Sequence, residues 1–226
     1  MHPLDNVIWQ ALTTRQTAFA ESHDQARRFF REVTLLAGFL EPSARGYASL
    51  AELAGAGGTA ALFLESPYVP QPGWELVMST GLPQMVCDIE ADNAHRSAPE
   101  IIELGPPDSP EMIALTALTK PGPFSTRTHE LGTYLGIRIA GKLAAMAGER
   151  LKVPGFTEVS AVCTHPDHTG RGYAAALMLE VMRGIRSRGE TPFLHVREEN
   201  VRAIALYEHL GFRMRTKLHL AVLRKE

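Results

Sequence analysis

Cysteine is scarce in this chain: 226 residues contain two, Cys87 and Cys163. Neither stands in a C-x-x-C pair or in a Cys/His grouping with metal-ligand spacing, which excludes a disulfide framework and a zinc ribbon. A reduced, cytoplasmic, metal-free protein is the expectation. Long apolar runs are also missing. No segment approaches the roughly 20 apolar residues that span a bilayer. The start, MHPLDNVIWQ, has no basic stretch followed by an apolar one, so no export signal is expected. Nor is there an excess of one charge: 23 Lys and Arg against 25 Asp and Glu give a net charge of -2. That balance offers no broad field for nucleic acid or an anionic membrane, and it leaves small-molecule chemistry as the starting assumption. What is present is a globular composition, 45% hydrophobic and 21% charged, enough for one large or two small domains.

Along the first 95 residues, apolar periodicity predicts helices over Val7 to Ala20 and Ala44 to Ala54. Strands are predicted over Phe29 to Phe39, Thr59 to Leu64, Trp74 to Ser79 and Gln84 to Ile89. SPYVPQPG, residues 66 to 73, is a loop, since its prolines remove donors and fix backbone angles. The polar stretch EADNAHRSAPE suggests a domain boundary at about residues 90 to 100, giving a domain over 1–95 and a second over 96–226. In the second, a strand at Ile101 to Leu104 precedes a helix over Pro110 to Leu118 with Ser109 as its cap. A hairpin follows, Tyr134 to Ile139 and Leu143 to Glu149 joined at Ala140-Gly141-Lys142. Next come a strand over Thr157 to Thr164, a helix over Ala174 to Arg186, a short strand over Phe193 to Val196, and a helix capped by Asn200 and ended by Gly211. One or two closing strands occupy Arg213 to Leu223.

The informative unit is the turn His165-Pro166-Asp167-His168-Thr169-Gly170-Arg171-Gly172-Tyr173-Ala174 between a strand and a helix. Its glycines allow a tight turn that exposes successive N–H groups at the positive end of a helix, a concavity suited to a pyrophosphate. A P-loop is excluded because no G-K-[ST] follows. The dinucleotide fingerprint G-x-G-x-x-G fails because residue 175 is Ala.

The segment VCTHPDHTGRGYAAALM resembles the signature of the GNAT superfamily of N-acetyltransferases, [QR]-x-x-G-x-[GA] between a strand and a helix. A second family signature, N-x-x-A-x-x-L-Y-x-x-L-G-F, is matched by Asn200, Ala203, Leu206, Tyr207, Leu210, Gly211 and Phe212. The likeness covers about residues 100 to 226 and is closest to the FR47-like branch. It departs at Thr169, where the family usually has Gln or Arg.

The resemblance implies a mixed α/β GNAT acyl-CoA N-acyltransferase fold, with a central, mostly antiparallel sheet flanked by helices. A smaller N-terminal α/β domain, reminiscent of a reduced GNAT-like lobe, would cover the acceptor side or serve packing or dimerisation. The cofactor would be acetyl-CoA or another acyl-CoA, with an amine as acceptor and no metal; a homodimer is left open. Backbone groups of Val162, Cys163 and Thr164 would line the pantetheine, and N–H groups of Thr169, Gly170, Arg171, Gly172, Tyr173 and Ala174 would take the pyrophosphate. Asn200 and Ala203 would approach the cofactor. For the Arg171 side chain, a nucleotide contact and a solvated loop position stand equally. Tyr207, a phenol protonated at neutral pH, is the expected general acid toward the departing thiolate. Glu158, eleven residues before Thr169, matches the separation of the catalytic glutamate in histone-acetyltransferase members and is the candidate base, the alternative being an exposed glutamate at a strand start. His165 and His168 are taken as turn residues, and Cys163 has no activating partner. An acyl-CoA sensor that binds without turnover is the second reading, and a structural protein on a degenerate fold is the third.

Overall fold

The computed structural model describes residues 2–88 and 100–226. Five α-helices and eleven strands are present among them. The first part of the chain contains α1 (Val7–Thr13), a small antiparallel sheet of β1 (Ala20–His23), β2 (Ala26–Phe29) and β3 (Ala37–Phe39), then α2 (Ala44–Ala54), β4 (Thr59–Leu64) and β5 (Trp74–Val86). The remainder contains β6 (Ile102–Leu104), α3 (Ser109–Thr119), β7 (Tyr134–Ile139), β8 (Lys142–Val153), β9 (Phe156–Thr164), α4 (Tyr173–Ser187), β10 (Thr191–His195), α5 (Val201–His209) and β11 (Arg213–Lys225).

Eight strands form one sheet in the order β4-β11-β5-β10-β9-β8-β7-β6, antiparallel throughout except for the parallel β9–β10 pair. This mixed α/β architecture with a mostly antiparallel central sheet is the one expected. The proposed boundary near residues 90 to 100 lies almost wholly outside the described residues. The sheet nevertheless runs across the 1–95 and 96–226 portions, because the last strand, β11, enters between β4 and β5. β11 is buried on both faces: Leu218 and Leu220 pack with α1 residues Ile8 and Leu12, while Ala221 and Leu223 pack with α2 residues Tyr47 and Leu50. A strand flanked by partners and covered twice is a central strand, whatever its position in the sequence.

Local chemistry explains the elements that agree with expectation. α2 starts at Ser43, whose Oγ accepts the Gly46 N–H at 3.1 Å, and it buries Tyr47, Leu50 and Ala54 at helical spacing. α4 turns Leu177, Met178, Val181, Met182 and Ile185 onto the sheet. The Asn200 side chain accepts the Ala203 N–H at 3.2 Å, the cap expected of it.

Other expectations need correction. The first helix stops at Thr13 rather than Ala20, since Gln16 turns inward to donate to the Arg150 carbonyl at 2.7 Å and accept from the Lys152 N–H at 3.1 Å. The strand expected over Phe29 to Phe39 is a hairpin: β2 ends at Phe29, a turn intervenes, and β3 returns. Trp74 to Val86 is one strand, not two, because β11 pairs along nearly its whole length. Ser109 is the first residue of α3 rather than its cap; its hydroxyl donates to the Thr126 carbonyl at 3.0 Å.

Gly148 on β8 lies opposite Ser160 of β9 and against the ring of fully buried Tyr134. A methyl group there would meet ring carbons at 2.3 to 2.6 Å. Gly148→Ala is expected to lower the unfolding free energy by about 1–3 kcal/mol through overpacking, read from the denaturant midpoint at unchanged slope.

Candidate active site

β10 pairs with β9 over only three positions, Thr191 with Phe156, Pro192 with Thr157 and Phe193 with Glu158. Beyond these the two strands part. The chain after β10 keeps to β5, with the Val196 N–H donating to the Pro83 carbonyl and the Glu198 N–H to the Gly81 carbonyl, both at 3.0 Å. On the other side β9 follows β8 through an irregularity, where Ala161 and Val162 together oppose Ala147 and Ala161 takes a φ of 53°. A two-for-one bulge of this kind bends a strand and re-aims its backbone. The parted strands open into a cavity of about 980 Å³, reached by Val159 to Thr164 from β9 and by His195 to Arg197 from the β10 side.

At one end of the cavity lies the turn into α4. Gly170 and Gly172 have φ values of 77° and 80°, a left-handed conformation that a Cβ strains, and at neither position would a Cβ touch anything within 4 Å. The N–H groups of Gly170, Arg171, Gly172, Tyr173, Ala174 and Ala175 find no partner among the described residues; the first bond into the helix runs from the Ala176 N–H to the Gly172 carbonyl at 3.0 Å. Six convergent donors at the positive end of a 15-residue helix form a cradle for an anion. A diphosphate fits this set in charge and donor number. Thr169, the residue that departs from the family signature, turns its hydroxyl back to the Pro166 carbonyl at 3.1 Å rather than toward the cradle. The Arg171 side chain is exposed. His165 accepts the Asp167 N–H through Nδ1 at 3.3 Å, a turn contact.

Tyr207 of α5 lines the same cavity, as do Cys163, Asn200 and Ala203. Its hydroxyl has no hydrogen-bond partner among the described residues. Burial raises its pKa to about 12, so the phenol stays protonated at neutral pH. Cys163 is likewise raised, to about 11, by burial; a thiol in that state is neither a nucleophile nor a proton store near neutrality.

Glu158 is not on the cavity wall. It is fully buried, its two oxygens accept from Arg150 Nε at 2.8 Å and Nη2 at 2.7 Å, and it also accepts from the Leu151 N–H at 3.3 Å. His195 Nδ1 lies 2.7 Å from Glu158 Oε1. Burial alone would raise this carboxyl, but the Arg150 guanidinium outweighs it and holds the group at about 2. A carboxylate so thoroughly occupied cannot take a proton from an incoming ammonium. The burial and pairing of Glu158 do not suit the base role expected of it, and the alternative of an exposed strand-start residue fails equally.

Glu158 and His195 are part of a wider buried network. His195 Nε2 lies 3.0 Å from Gln84 Nε2, and Gln84 Oε1 accepts from Arg215 Nη1 at 2.8 Å, which orients the amide so that Gln84 donates to His195. The network thus assigns the Nδ1–H tautomer, with Glu158 as acceptor. Burial lowers the His195 pKa, in keeping with a neutral ring packed against Phe63 and Phe193. Arg150 sits over the Phe63 ring, 5.9 Å from its centroid. Arg150, His195 and Phe63 all line the cavity. A sequence signal for Arg150 existed in the charged pair Glu149-Arg150 that ends the apolar run LAAMAG; its partner, on another strand, was not readable.

The class defined here is a mixed-sheet protein with a cradle of free N–H groups at a helix start, beside a cavity between parted strands. Three comparisons identify the family. Residues 134–220 match the family model described as FR47-like protein. A GNAT-family protein of solved structure from Novosphingobium aromaticivorans DSM 12444 is 38% identical, with all of both chains covered and a TM-score of 0.91. The N-alpha-acetyltransferase RimI of Mycobacterium tuberculosis (strain ATCC 25618 / H37Rv) is 38% identical over 82 residues, 35% of this chain; the match spans about half, 51%, of that relative. A GCN5-related N-acetyltransferase from Kribbella flavida, 15% identical over 96% of both chains with a TM-score of 0.62, shares the fold. The chain belongs to the GNAT acetyltransferase family.

Among the described residues no helix is long and apolar enough to cross a membrane, and no group of three or more His, Cys, Asp or Glu is placed to hold a metal ion.

Removing the negative partner of Arg150 leaves a buried cation without its carboxylate. Glu158→Gln is expected to cost about 3–5 kcal/mol of unfolding free energy. The sign of the pH effect follows from a folded-state pKa below the ordinary value of 4.5. The contribution is complete above about pH 4.5 and is lost as the pH falls toward about 2. Wild-type stability should therefore drop more steeply through that window than that of Glu158→Gln, as measured by urea midpoints at successive pH values.

Proposed function

We propose that this chain transfers an acetyl group, or another small acyl group, from acyl-CoA to an amine by direct attack with both substrates bound. The observation that carries the reading is the run of unpartnered N–H groups from 170 to 175 at one end of a cavity whose other wall holds the Tyr207 phenol. The cradle takes the CoA diphosphate, and backbone groups of Val162 to Thr164 on the free side of β9 line the pantetheine. The gap between β9 and the β10 side carries the thioester toward the acceptor. Family membership and the likeness to an enzyme named as an N-alpha-acetyltransferase support the same direction.

The amine nitrogen attacks the thioester carbonyl carbon, the carbon–sulfur bond breaks, and the departing sulfur is met by the Tyr207 hydroxyl. A phenol held at about 12 arrives at that moment with its proton in place. The amine's own proton leaves through water, since no carboxylate lines the cavity among the described residues. Glu158 acts at one remove: it holds Arg150 and His195, which form part of the acceptor wall. Residues from the first 95 complete that wall, Leu35, Leu36, Phe63 and Leu82 among them. The catalytic reading is preferred to a sensor because the Tyr207 hydroxyl is left without a structural partner beside the cradle.

Two substitutions separate binding from turnover. Gly172→Glu places a charged side chain at a left-handed position in the cradle, and calorimetry with acetyl-CoA should find affinity reduced about 100-fold or more, from charge conflict combined with lost backbone geometry. Tyr207→Phe should bind acetyl-CoA as the wild type does, while thiol release in the presence of an accepted amine slows by about 100-fold, the lower range for a lost general acid. Full activity in the Phe variant removes Tyr207 as the acid. Tight binding by the wild type with no thiol release for any amine establishes the sensor instead.

A further inference from the structure

The charges on the cavity wall are one-sided. Lys120, Arg150, Arg171, Arg197 and Arg202 line it, and among the described residues no Asp or Glu does. Their placement divides the work. Arg171 belongs to the cradle turn before α4, and Arg202 to α5. Arg197 lies 3.9 Å from Glu199 and donates to the Lys120 carbonyl at 2.9 Å, tying the loop after α3 to the segment after β10. At the acceptor end stands Arg150. Glu158 occupies its Nε and Nη2 edge, and Nη1 enters no hydrogen bond among the described residues. Nη1 is not among the fully buried groups that lack a partner, so this nitrogen keeps some accessible surface on a side chain that lines the cavity. Nη1 lies by Gly122, 3.9 Å from where a Cβ on that residue would stand, and the cavity that Arg150 lines also has an apolar part, Leu35, Phe63, Leu82, Leu220 and Val222.

An alkylammonium entering such a space would lose its hydration among cations and hydrocarbon with nothing to pair it. A polycation would fare worse. An amine that brings its own negative charge meets neither difficulty. Given the acyl-transfer reading above, on which this inference rests, we propose that the acceptor is an apolar amine bearing a carboxylate, of which an α-amino acid with a large aliphatic or aromatic side chain is the simplest. Arg150 Nη1 holds the carboxylate, and the side chain lies among Leu35, Phe63, Leu82 and Leu220. A guanidinium suits this because its five donors can serve two carboxylates on different edges, Glu158 on one and the substrate on the other. The surplus of positive charge also favours the neutral form of the amine, which is the nucleophile, so the site needs no dedicated carboxylate base. The reaction balances without a further reagent. Nitrogen gains the acyl carbon, sulfur leaves and takes the Tyr207 proton, and the proton shed by nitrogen returns to the phenolate through water. Glu158 is then a positioning residue for recognition: it orients Arg150 so that Nη1 faces the acceptor.

The test compares acceptors that differ only at the carboxylate, using the intact chain with acetyl-CoA: phenylalanine, phenylalanine amide, phenethylamine and, as a polycation, spermidine. The expectation is a kcat/KM for phenylalanine about 10- to 100-fold above phenethylamine, the range of one charge-assisted hydrogen bond, and no turnover of spermidine. Arg150→Lys keeps a cation for Glu158 but lacks the forked donors. It should raise the KM for phenylalanine about tenfold or more at little change in kcat, and so shrink the phenylalanine-to-phenethylamine ratio of kcat/KM by about the same factor. The substrate series in the wild type decides the matter even if that variant folds poorly. Phenethylamine or spermidine equal to or better than phenylalanine overturns the inference while leaving acyl transfer standing. Acetyl-CoA bound with no member of the panel acetylated overturns it as well. No binding of acetyl-CoA by calorimetry overturns the acyl-transfer reading and the acceptor class together.

Discussion

The site exists because a short parallel pairing ends early. β10 is held to β9 for three residues and then follows β5, while β9 stays with β8 through the bulge at Ala161 and Val162. A continuous sheet here would satisfy the backbone groups of both strands internally and leave no slot. The parting turns sheet backbone into cavity wall, at the cost of a non-glycine residue, Ala161, held at positive φ. The rest of the structure serves that opening. α4 starts beside it and presents six free N–H groups, α5 brings the Tyr207 hydroxyl, and β11 locks β4 and β5 into the sheet so that their side chains form the far wall.

The buried group Arg150–Glu158–His195–Gln84 braces this gap from below. It links β8, β9, β10 and β5, the four strands whose relative positions define the slot, and continues through Arg215 on β11 to Asp5 near the start of the chain. Charges this deeply buried are expensive unless fully paired, and here nearly every polar edge is occupied. The exception is Arg150 Nη1, which makes no hydrogen bond among the described residues, on a side chain that lines the cavity. Glu158 belongs to the same bracing, with both of its oxygens taken by Arg150.

Legibility in the sequence followed the range of the interactions. The turn from Thr169 to Ala174 was readable because its requirements are local: glycines for the left-handed turn, a helix behind it, and no competing phosphate motif. The Asn200 cap, α2, β4 and β7 were readable for the same reason. Errors occurred where a distant partner set the outcome. Gln16 ended the first helix by binding the backbone of β8, 134 positions away. β5 became one strand because β11 runs beside it, and β2 and β3 separated because each found a partner in the small sheet. Glu158 was read as a base from its separation from Thr169, a measure that contains no information about Arg150 or His195.

The sequence alone determined the chemistry of the cradle and its family, since a run of backbone donors at a helix start depends on residues adjacent in the chain. It also determined that a phenol would sit in the last helix. Only the tertiary structure decided which strands part, that the C-terminal strand lies inside the N-terminal portion of the sheet, and that Glu158 is spent on Arg150. The physical reason is that burial, ion pairing and strand order arise from contacts between segments far apart in sequence. Their energies depend on a low-dielectric interior that exists only once those segments have met.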